Sequence, residues 1–246
     1  MKQQILQVMN KEQMAIERIK SFEPPEGYFL AFSGGKDSIV LYDLTMKAKV
    51  KFDAHYSLTT IDPPELVQFI KNEYPAVIID KPKISFWRLM EKNLFPPLRH
   101  QRYCCKILKE RGGEGRKTLL GLRWEESFNR SKRQMVSYCE KKDKHSISPI
   151  IDWTTADVWD YIRQNNLNYC NLYDRGYNRL GCIFCPNKIA KEKQMDLQNF
   201  PTFAKTAIKT LDKIIQMRKE KGLEVSYKTG EDFFYWWNLM KICMNR

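Results

Sequence analysis

The first segment whose residue types could do chemistry is a glycine-rich turn, Ser33-Gly34-Gly35-Lys36-Asp37-Ser38. It follows a short apolar run, Tyr28 to Phe32, and precedes a helix-like segment, Ile39 to Leu44. Glycines let the backbone approach a ligand closely, and the start of a helix offers N–H groups and a positive dipole end to phosphate. The spacing differs from the Walker A pattern. The turn predicts a phosphate site; the alternative is a tight turn with a surface lysine.

Four of the seven cysteines fall into two pairs. Cys104 and Cys105 are adjacent, and Cys182 and Cys185 form a Cys-x-x-Cys pair far later in the chain. Four thiolates can hold a zinc ion or an iron–sulfur cluster. Zinc ligands are normally two to four residues apart, and adjacent ligands suit the separate corners of a cubane better. A four-iron cluster is the main expectation, with zinc or metal-free thiols as alternatives. The remaining cysteines are expected to be core or surface thiols: Cys139, Cys170 and Cys243.

The composition is that of a globular protein with a basic surface. Apolar residues make up 43% of the 246 residues and charged residues 29%, which excludes a disordered chain and a collagen-like repeat. The net charge of +13 favours anionic partners such as nucleotides, nucleic acid or acidic lipid. No apolar stretch approaches the ~20 residues of a membrane span, and the first 20 or so residues lack the apolar core of a signal peptide. We expect a cytoplasmic protein with no membrane partner.

Strand-like and helix-like segments alternate along the first part of the chain, which favours a parallel sheet covered on both faces. The predicted strands are 28–32, 53–60, 76–80 and 117–123; the predicted helices are 1–22, 39–44, 65–72 and 86–92. After Pro149 the pattern becomes mainly helical, with helices expected at 154–164, 203–221 and 232–244. We therefore predict a nucleotide-binding domain at 1–148 and a mainly helical segment at 149–246 that contains the Cys-x-x-Cys pair.

The glycine turn matches every position of the PP-loop signature of the ATP pyrophosphatase superfamily, Ser-Gly-Gly-Lys-Asp-Ser after a strand. With the two cysteine pairs downstream, the chain resembles the phosphoadenosine phosphosulfate reductase family. Within that family it is similar to the adenylylsulfate reductases that contain a [4Fe-4S] cluster. The resemblance covers roughly residues 28 to 190. The other matching segments are Thr59 to Leu66, Arg102 to Cys105, Gly121 to Ser127, Pro149 to Thr154 and Gly181 to Pro186.

The resemblance implies an α/β PP-loop fold of the adenine nucleotide alpha hydrolase type, with a twisted, mostly parallel sheet and a helical C-terminal segment. It implies that the turn at 33–38 holds the pyrophosphate of ATP, or the anionic end of an adenylylsulfate-type nucleotide. Asp37 would support Mg²⁺ or the loop geometry. The four implied metal ligands, for a [4Fe-4S] cluster or for zinc, are Cys104, Cys105, Cys182 and Cys185.

Charged residues after the predicted strand 117–123 are candidates for the same nucleotide site, because ligands of open parallel sheets bind at the carboxyl ends of strands. Arg123 and Arg130 could bind phosphate or sulfate oxygens in a forked geometry; the alternative is a surface salt-bridge patch. Asp62 could contact a ribose or a metal, or cap the next helix. The candidate catalytic residues are Lys36, Asp37 and Arg123. The candidate nucleotide ligands are Ser33, Gly34, Gly35, Lys36, Asp37, Ser38, Asp62, Arg123, Glu126, Ser127 and Arg130.

Two departures from the family pattern shape the expected function. The chain ends Lys241-Ile242-Cys243-Met244-Asn245-Arg246 instead of with the family's Glu-Cys-Gly-Leu-His tail, which contains the nucleophilic cysteine. The PP-loop, which is typically degenerate in the reductases, is intact here.

Together these departures favour an ATP pyrophosphatase-type transferase of sulfur metabolism. It would adenylylate an acceptor for sulfur transfer, with nucleic acid as a candidate acceptor and a sulfur-donor protein as a candidate partner. One alternative is an oxidoreductase that releases sulfite from adenylylsulfate or its 3′-phosphorylated form. Another is a non-catalytic iron–sulfur or zinc subunit that binds nucleotide. The sequence leaves the oligomeric state open.

Overall fold

The computed structural model describes residues 10–139 and 144–238, and it divides into two compact units. The first unit comprises the described residues of Met1–Tyr56, Phe69–Ile79 and Gly112–Cys170. The second comprises those of Ser57–Gln68, Asp80–Arg111 and Asn171–Arg246. Both units draw on chain from either side of residue 148, and the predicted boundary at that residue stays a prediction.

A six-stranded sheet forms the centre of the first unit, with strand order β3-β2-β1-β4-β6-β5. β1 pairs in parallel with β2 and β4, β4 pairs in parallel with β6, and β5 pairs antiparallel to β6 at the edge. The last residues of β2 and β3 are counted with the second unit. The strands are β1 (Tyr28–Ala31), β2 (Phe52–Ser57), β3 (Ile78–Asp80), β4 (Thr118–Leu119), β5 (Val136–Cys139) and β6 (Lys144–Ile147).

Helices cover this sheet, and local side chains fix where several of them begin. Asn10 and Thr154 accept backbone N–H groups at the starts of α1 and α6, and Asp157 completes a capping box with Thr154. Arg18 ties α1 to Asp152 with two hydrogen bonds of 2.7 and 2.9 Å. The helices of this unit are α1 (Lys11–Ser21), α2 (Lys36–Ala48), α5 (Phe128–Ser131) and α6 (Thr155–Gln164), with a 3₁₀ turn at Trp124–Glu126. The helix α3 (Pro64–Glu73) is divided between the two units.

The second unit is helical and has an aromatic core. Phe233, Phe234 and Trp237 of the last described helix are buried, and the indole N–H of Trp237 donates to the carbonyl of Pro97 at 2.8 Å. Its elements are α4 (Phe86–Asn93), a π-helical turn (Cys105–Lys109), α7 (Ala190–Asn199), α8 (Pro201–Glu220) and α9 (Gly230–Asn238). No described helix is long and apolar enough to cross a membrane.

The expected fold class, an α/β fold with a mostly parallel sheet, is confirmed, and the differences are local. The strand predicted at 53–60 ends at Ser57, and the one at 117–123 is reduced to Thr118–Leu119. The antiparallel hairpin β5–β6 and helix α7 were not predicted, because their polar sequences lack a clear apolar period. Residues 1–9 of the first predicted helix and residues 239–244 of the last lie outside the described residues.

Because α9 packs closely against α8, replacing Gly230 by alanine should cost much more stability than replacing Gly181. A Cβ at Gly230 would lie 2.4 Å from the carbonyl oxygen of Ile208, whereas a Cβ at Gly181 would meet nothing within 4 Å. Gly230→Ala should therefore lower the free energy of unfolding by about 1–3 kcal/mol through overpacking. Gly181→Ala should change it by less than about 0.5 kcal/mol. Urea titrations of both variants test this, and equal losses would contradict it.

Candidate functional site

The glycine turn connects the end of β1 to the start of α2. Gly34 has a φ of 69°, in the left-handed region that favours glycine, and Gly35 is the extended residue before the helix. The Ser38 hydroxyl accepts the Ser33 N–H at 3.2 Å and donates to the carbonyl of Gly35 at 2.8 Å, which closes the turn. No side chain caps α2, in contrast to α1, α4 and α6. An anion is the natural group to satisfy this helix start.

Two charged side chains of the turn lie side by side at the start of α2. Lys36 is buried, and its Nζ lies 3.4 Å from Oδ2 of Asp37. Lysine at this position places a positive charge at the same end of the helix as the positive end of its dipole. The ammonium of Lys36 and the helix start therefore offer positive groups where the sequence predicts a phosphate, with the carboxylate of Asp37 beside them.

Arg123, four residues after strand β4, fixes Asp37. Its side chain is 3% exposed, and Nε donates to Oδ1 of Asp37 at 2.6 Å. One of its remaining nitrogens donates to Glu125 at 2.9 Å and the other to the Thr155 hydroxyl at 3.2 Å. Burial alone would lower the pKa of Arg123, but the charge of Asp37 and the hydrogen bonds raise it, so the side chain stays cationic.

Glu125 completes this network although the sequence analysis did not single it out. Its Oε2 accepts both the hydroxyl of Thr155 at 2.8 Å and the backbone N–H of Thr155 at 2.5 Å. These hydrogen bonds lower the pKa of Glu125. Arg123, Glu125 and Thr155 thus link the start of α6 to the glycine turn.

Gly121 permits the close approach on which this network depends. A Cβ at Gly121 would lie 3.0 Å from the carbonyl oxygen of Asp37 and 3.3 Å from the backbone nitrogen of Ser38. The chain beyond β4 therefore runs against the first turn of α2. The carboxyl ends of the adjacent parallel strands β1 and β4 meet at one edge of the sheet, as open α/β sheets arrange their binding sites.

The structure gives the other predicted residues of this edge partners within the protein. Glu126 accepts the backbone N–H of Arg123 at 3.0 Å and forms an ion pair with Arg130. Ser127 caps α5 by accepting the N–H of Arg130 at 3.3 Å. Both arginines expected to bind phosphate or sulfate are therefore engaged by carboxylates, and their direct contact with an anion stays a prediction. The groups best placed to bind one are Lys36 and the start of α2.

The four paired cysteines line one cavity in the second unit. Cys104 and Cys105 lie at the start of the π-helical turn, and Cys182 and Cys185 lie on the turn before α7. The cavity has a volume of about 40 Å³, more than a single water needs. A π-helical turn widens the backbone and is frequently found at functional sites. The structure thus brings together the two cysteine pairs that the sequence analysis grouped.

A buried acid shapes the Cys-x-x-Cys turn. Asp196 of α7 is 0% exposed; it accepts the N–H of Phe184 at 2.8 Å and two hydrogen bonds from Lys188 at 2.7 and 2.8 Å. Phe184 has a φ of 54°, a strained value for a non-glycine residue, and its ring packs edge-on against Phe234 with centroids 5.2 Å apart. Asp196 and the aromatic core thus hold the turn that presents Cys182 and Cys185.

Asp62 lies with the cysteines in the second unit. It accepts the N–H of Thr59 at 2.6 Å, and the Thr59 hydroxyl lies 3.5 Å from Sγ of Cys182. The backbone also connects the two segments, because Ile183 donates to the carbonyl of Ile61 at 2.8 Å. Asp62 therefore shapes the loop beside Cys182, and the predicted contact with a ribose or a metal stays a prediction.

The cysteine cavity has an uneven electrostatic environment. A hydrogen bond from Cys104 lowers the pKa of Cys105, and Lys109 and Arg102 lower it further. Burial raises the pKa of Cys182. Lys109, which lines the cavity and keeps contact with solvent, has its pKa raised by the charge of Cys182. Cations therefore face the thiols, as an anionic thiolate centre requires.

Sequence reasoning missed Lys109 and Asp196 as well as Glu125. Lys109 comes four residues after Cys105, and this helical spacing was a usable signal. No local signal identifies Asp196, because it reaches Phe184 only through the folded turn. Among the described residues, no three His, Cys, Asp or Glu side chains come together as they would around a single metal ion.

The part of the chain that matches a known family includes both the glycine turn and the four paired cysteines. Residues 27–188 match the family model described as phosphoadenosine phosphosulfate reductase domain. The adenosine 5′-phosphosulfate reductase of Oceanobacillus iheyensis is 32% identical over 171 residues, which are 65% of this chain and 71% of that protein. Adenosine 5′-phosphosulfate reductase 2 of Bacillus subtilis is also 32% identical, over 63% of this chain and 70% of that protein.

Further matches include an uncharacterized protein and a solved structure. An uncharacterized protein of Methanocaldococcus jannaschii is 32% identical over 66% of this chain, which covers 38% of that protein. Among solved structures, the phosphoadenylyl-sulfate reductase of Candida auris in its phosphate complex is similar with a TM-score of 0.53 and 20% identity. That match spans 71% of this chain and 89% of the other. The structural likeness confirms the expected PP-loop fold.

The buried network of Arg123 predicts a large loss of stability when the arginine is neutralised. Arg123→Gln removes the buried cation that Asp37 shares with Glu125, leaves Asp37 with Lys36 alone, and should lower the free energy of unfolding by about 3 kcal/mol. Arg163→Gln breaks an exposed ion pair with Asp160 in the same unit and should cost less than about 1 kcal/mol. Urea titration measures both; similar losses would show that the Arg123 network adds nothing beyond a surface pair.

Proposed function

Because this chain belongs to the phosphoadenosine phosphosulfate reductase domain family, we propose that it acts on an adenylylated sulfur nucleotide such as adenylylsulfate. The supporting observation is that the family match at 27–188 spans the glycine turn and all four paired cysteines. The relatives named adenosine 5′-phosphosulfate reductase favour this reading over the ATP-cleaving one. The anionic end of the nucleotide would bind the start of α2 and Lys36.

The proposed reaction consumes two thiols. A thiolate attacks the sulfonyl sulfur of adenylylsulfate, and the bond from that sulfur to the phosphate oxygen breaks, which releases AMP. A second thiol then attacks the resulting thiosulfonate, which releases sulfite and forms a disulfide, so the two thiols supply both electrons. Cys243, which lies outside the described residues, is the candidate nucleophile near the end of the chain. A dithiol protein of thioredoxin type is the class of reductant that would restore the thiols.

A second candidate function is cleavage of ATP between the α and β phosphates, and one observation favours it. Every polar residue of the PP-loop signature is present, and Asp37 is fixed by Arg123 so that one carboxylate oxygen faces Lys36. An acceptor oxygen would attack the α phosphorus and release pyrophosphate, with Mg²⁺ near Asp37. The loop amides and Lys36 would stabilise the developing charge electrostatically. Sulfide-level sulfur from a donor protein would then displace AMP from the adenylylated acceptor, for which nucleic acid is a candidate.

We also propose that the four paired cysteines hold a [4Fe-4S] cluster, with zinc as the alternative. Four sulfur ligands suit either centre. The support is that all four line one cavity, with Lys109 and Arg102 as nearby cations for an anionic centre. A bound cluster would supply a redox-active or electrostatic centre; the chain's own contribution is the rigid turn held by Asp196. The expected cytoplasmic location fits such a thiolate site and stays a prediction.

Metal analysis tests the cysteine proposal. Protein purified without oxygen should contain about four iron and four sulfide per chain, as a [4Fe-4S] centre requires. Cys104→Ser and Cys182→Ser should each lose most of this content. Cys139→Ser is the matched control, because Cys139 is exposed and does not line the cavity, and its content should match the parent. Stoichiometric zinc without sulfide would show that the site holds zinc instead of a cluster. Equal metal content in all variants would refute the ligand set.

A substrate panel tests the proposed reaction. With adenylylsulfate and a dithiol reductant, we expect sulfite and AMP in equal amounts. Lys36→Ala should weaken nucleotide binding roughly 10- to 100-fold, the value of a charge-assisted contact. Lys20→Ala, at a half-exposed lysine of α1, should leave binding unchanged. Cys243→Ser should abolish sulfite release if Cys243 is the nucleophile. Pyrophosphate from ATP with no sulfite would favour the second candidate, and nucleotide binding without turnover would indicate a non-catalytic subunit.

A further inference from the structure

Two large aromatic side chains lie exposed beside the nucleotide edge of the first unit. Phe128 is 73% exposed and Trp124 is 42% exposed, and they stand four residues apart in the segment that directly follows Arg123. Single exposed apolar residues are common on protein surfaces, but two exposed aromatic rings four residues apart in one short segment are a candidate contact surface. We call Trp124, Phe128, Lys132 and Arg133 the aromatic platform.

The rings of the platform are held in place before any partner binds. The indole N–H of Trp124 donates to the carbonyl of Arg133 at 2.7 Å, which fixes the plane of the indole. Phe128 is the first residue of α5, whose start is capped by Ser127. Nζ of Lys132 lies 4.1 Å from the centre of the Phe128 ring, so a cation accompanies the exposed ring. A preformed surface lowers the ordering cost of binding.

The charges that the segment presents outward are positive. Its two carboxylates are already paired, Glu125 with Arg123 and Glu126 with Arg130. The exposed side chains of Lys132 and Arg133 therefore dominate the charge beside the rings. This sign matches the net charge of +13 of the whole chain and complements a polyanion.

We propose that the aromatic platform binds single-stranded nucleic acid. A base would stack on Phe128 and on the face of Trp124, while Lys132 and Arg133 would contact the adjoining phosphates. Exposed aromatic rings interleaved with cations are the combination that single-strand binding uses, since every base offers a flat π-face and every nucleotide a phosphate. The lysine over the Phe128 ring favours this partner over a protein, whose contact patches are depleted in lysine at their centre.

The aromatic platform belongs to the same segment as Arg123, which connects it to the glycine turn. Trp124 follows Arg123, which contacts Asp37 of the glycine turn at 2.6 Å, within the same unit. A strand on the platform would therefore contact the segment that fixes Asp37 through Arg123. The proposal gives a binding surface to the nucleic acid that the second candidate function names as acceptor, but it can be tested without either chemistry, because it concerns binding alone.

Fluorescence anisotropy with labelled oligonucleotides of about 20 nucleotides, as DNA and as RNA, tests the proposal on the full chain. Phe128→Ala should weaken binding of at least one of them about 5- to 100-fold, the range measured for loss of one stacked base. Phe128→Leu should weaken it similarly, because it keeps an apolar side chain but removes the ring. Phe128→Tyr should stay within about threefold of the parent. Tyr235→Ala removes a 56% exposed ring from α9 and is the matched control, expected to change nothing.

The salt dependence of binding and the binding of other ligands provide further tests of the proposal. Binding should fall steeply between about 50 and 200 mM salt in the parent, and Lys132→Gln should reduce that slope. Absent or ring-independent oligonucleotide binding would overturn the proposal. So would a Phe128→Ala variant that loses only mononucleotide affinity, since the ring would then belong to the nucleotide site. A Phe128→Ala variant that changes only the oligomeric state, or only binding to anionic vesicles, would assign the platform to another partner and overturn it equally.

Discussion

The architecture of the first unit depends on one buried cation. Arg123 binds Asp37 of the glycine turn, Glu125 of its own segment and Thr155 at the start of α6. Three stretches that are distant in sequence are thereby fixed around an arginine side chain that is 3% exposed. Buried guanidinium groups are stable only when their hydrogen-bonding capacity is used, so each contact supports the others. Asp37, in turn, has its orientation fixed by its arginine partner before a ligand arrives, which is the preorganisation that electrostatic catalysis needs.

In the second unit, the buried carboxylate of Asp196 fixes a turn, as the buried Arg123 does in the first unit. Asp196 is fully buried between the ammonium of Lys188 and the N–H of Phe184, and Phe184 is anchored by the aromatic core of α9. The left-handed backbone at Phe184 has a conformational cost that the aromatic packing and the Asp196 hydrogen bond offset. The Cys-x-x-Cys turn therefore has a fixed shape without any need for a metal to impose it. A thiolate site built on such a turn needs little reorganisation when a metal centre forms.

The fold class could be predicted from the sequence, and two groups of candidate site residues could be proposed, because their signals are local. Strand–glycine–helix order predicts the turn at 33–38, and paired cysteines predict a shared site. What the sequence did not reveal are the partners that meet only after folding. Glu125 lies in the matching segment Gly121 to Ser127, but its contact with Thr155, thirty residues away, exists only in the folded chain. Asp196 acts through a turn twelve residues away. The role expected for Arg123 changed most, since a guanidinium that looks free in sequence is occupied by carboxylates in the fold.

The same edge of the sheet can serve either candidate chemistry, because the demands on it are alike. Attack on the sulfur of adenylylsulfate leaves AMP, and attack on the α phosphorus of ATP leaves pyrophosphate; both leaving groups are anions that the start of α2 and Lys36 would stabilise. What separates the two reactions is the nucleophile, a thiolate in one and an acceptor oxygen in the other. Fold therefore determines where the nucleotide binds, and the side chain or substrate that reaches it determines the reaction. An intact turn suits the binding of a nucleotide in either case, whereas reduction also needs a thiolate that reaches the bound nucleotide.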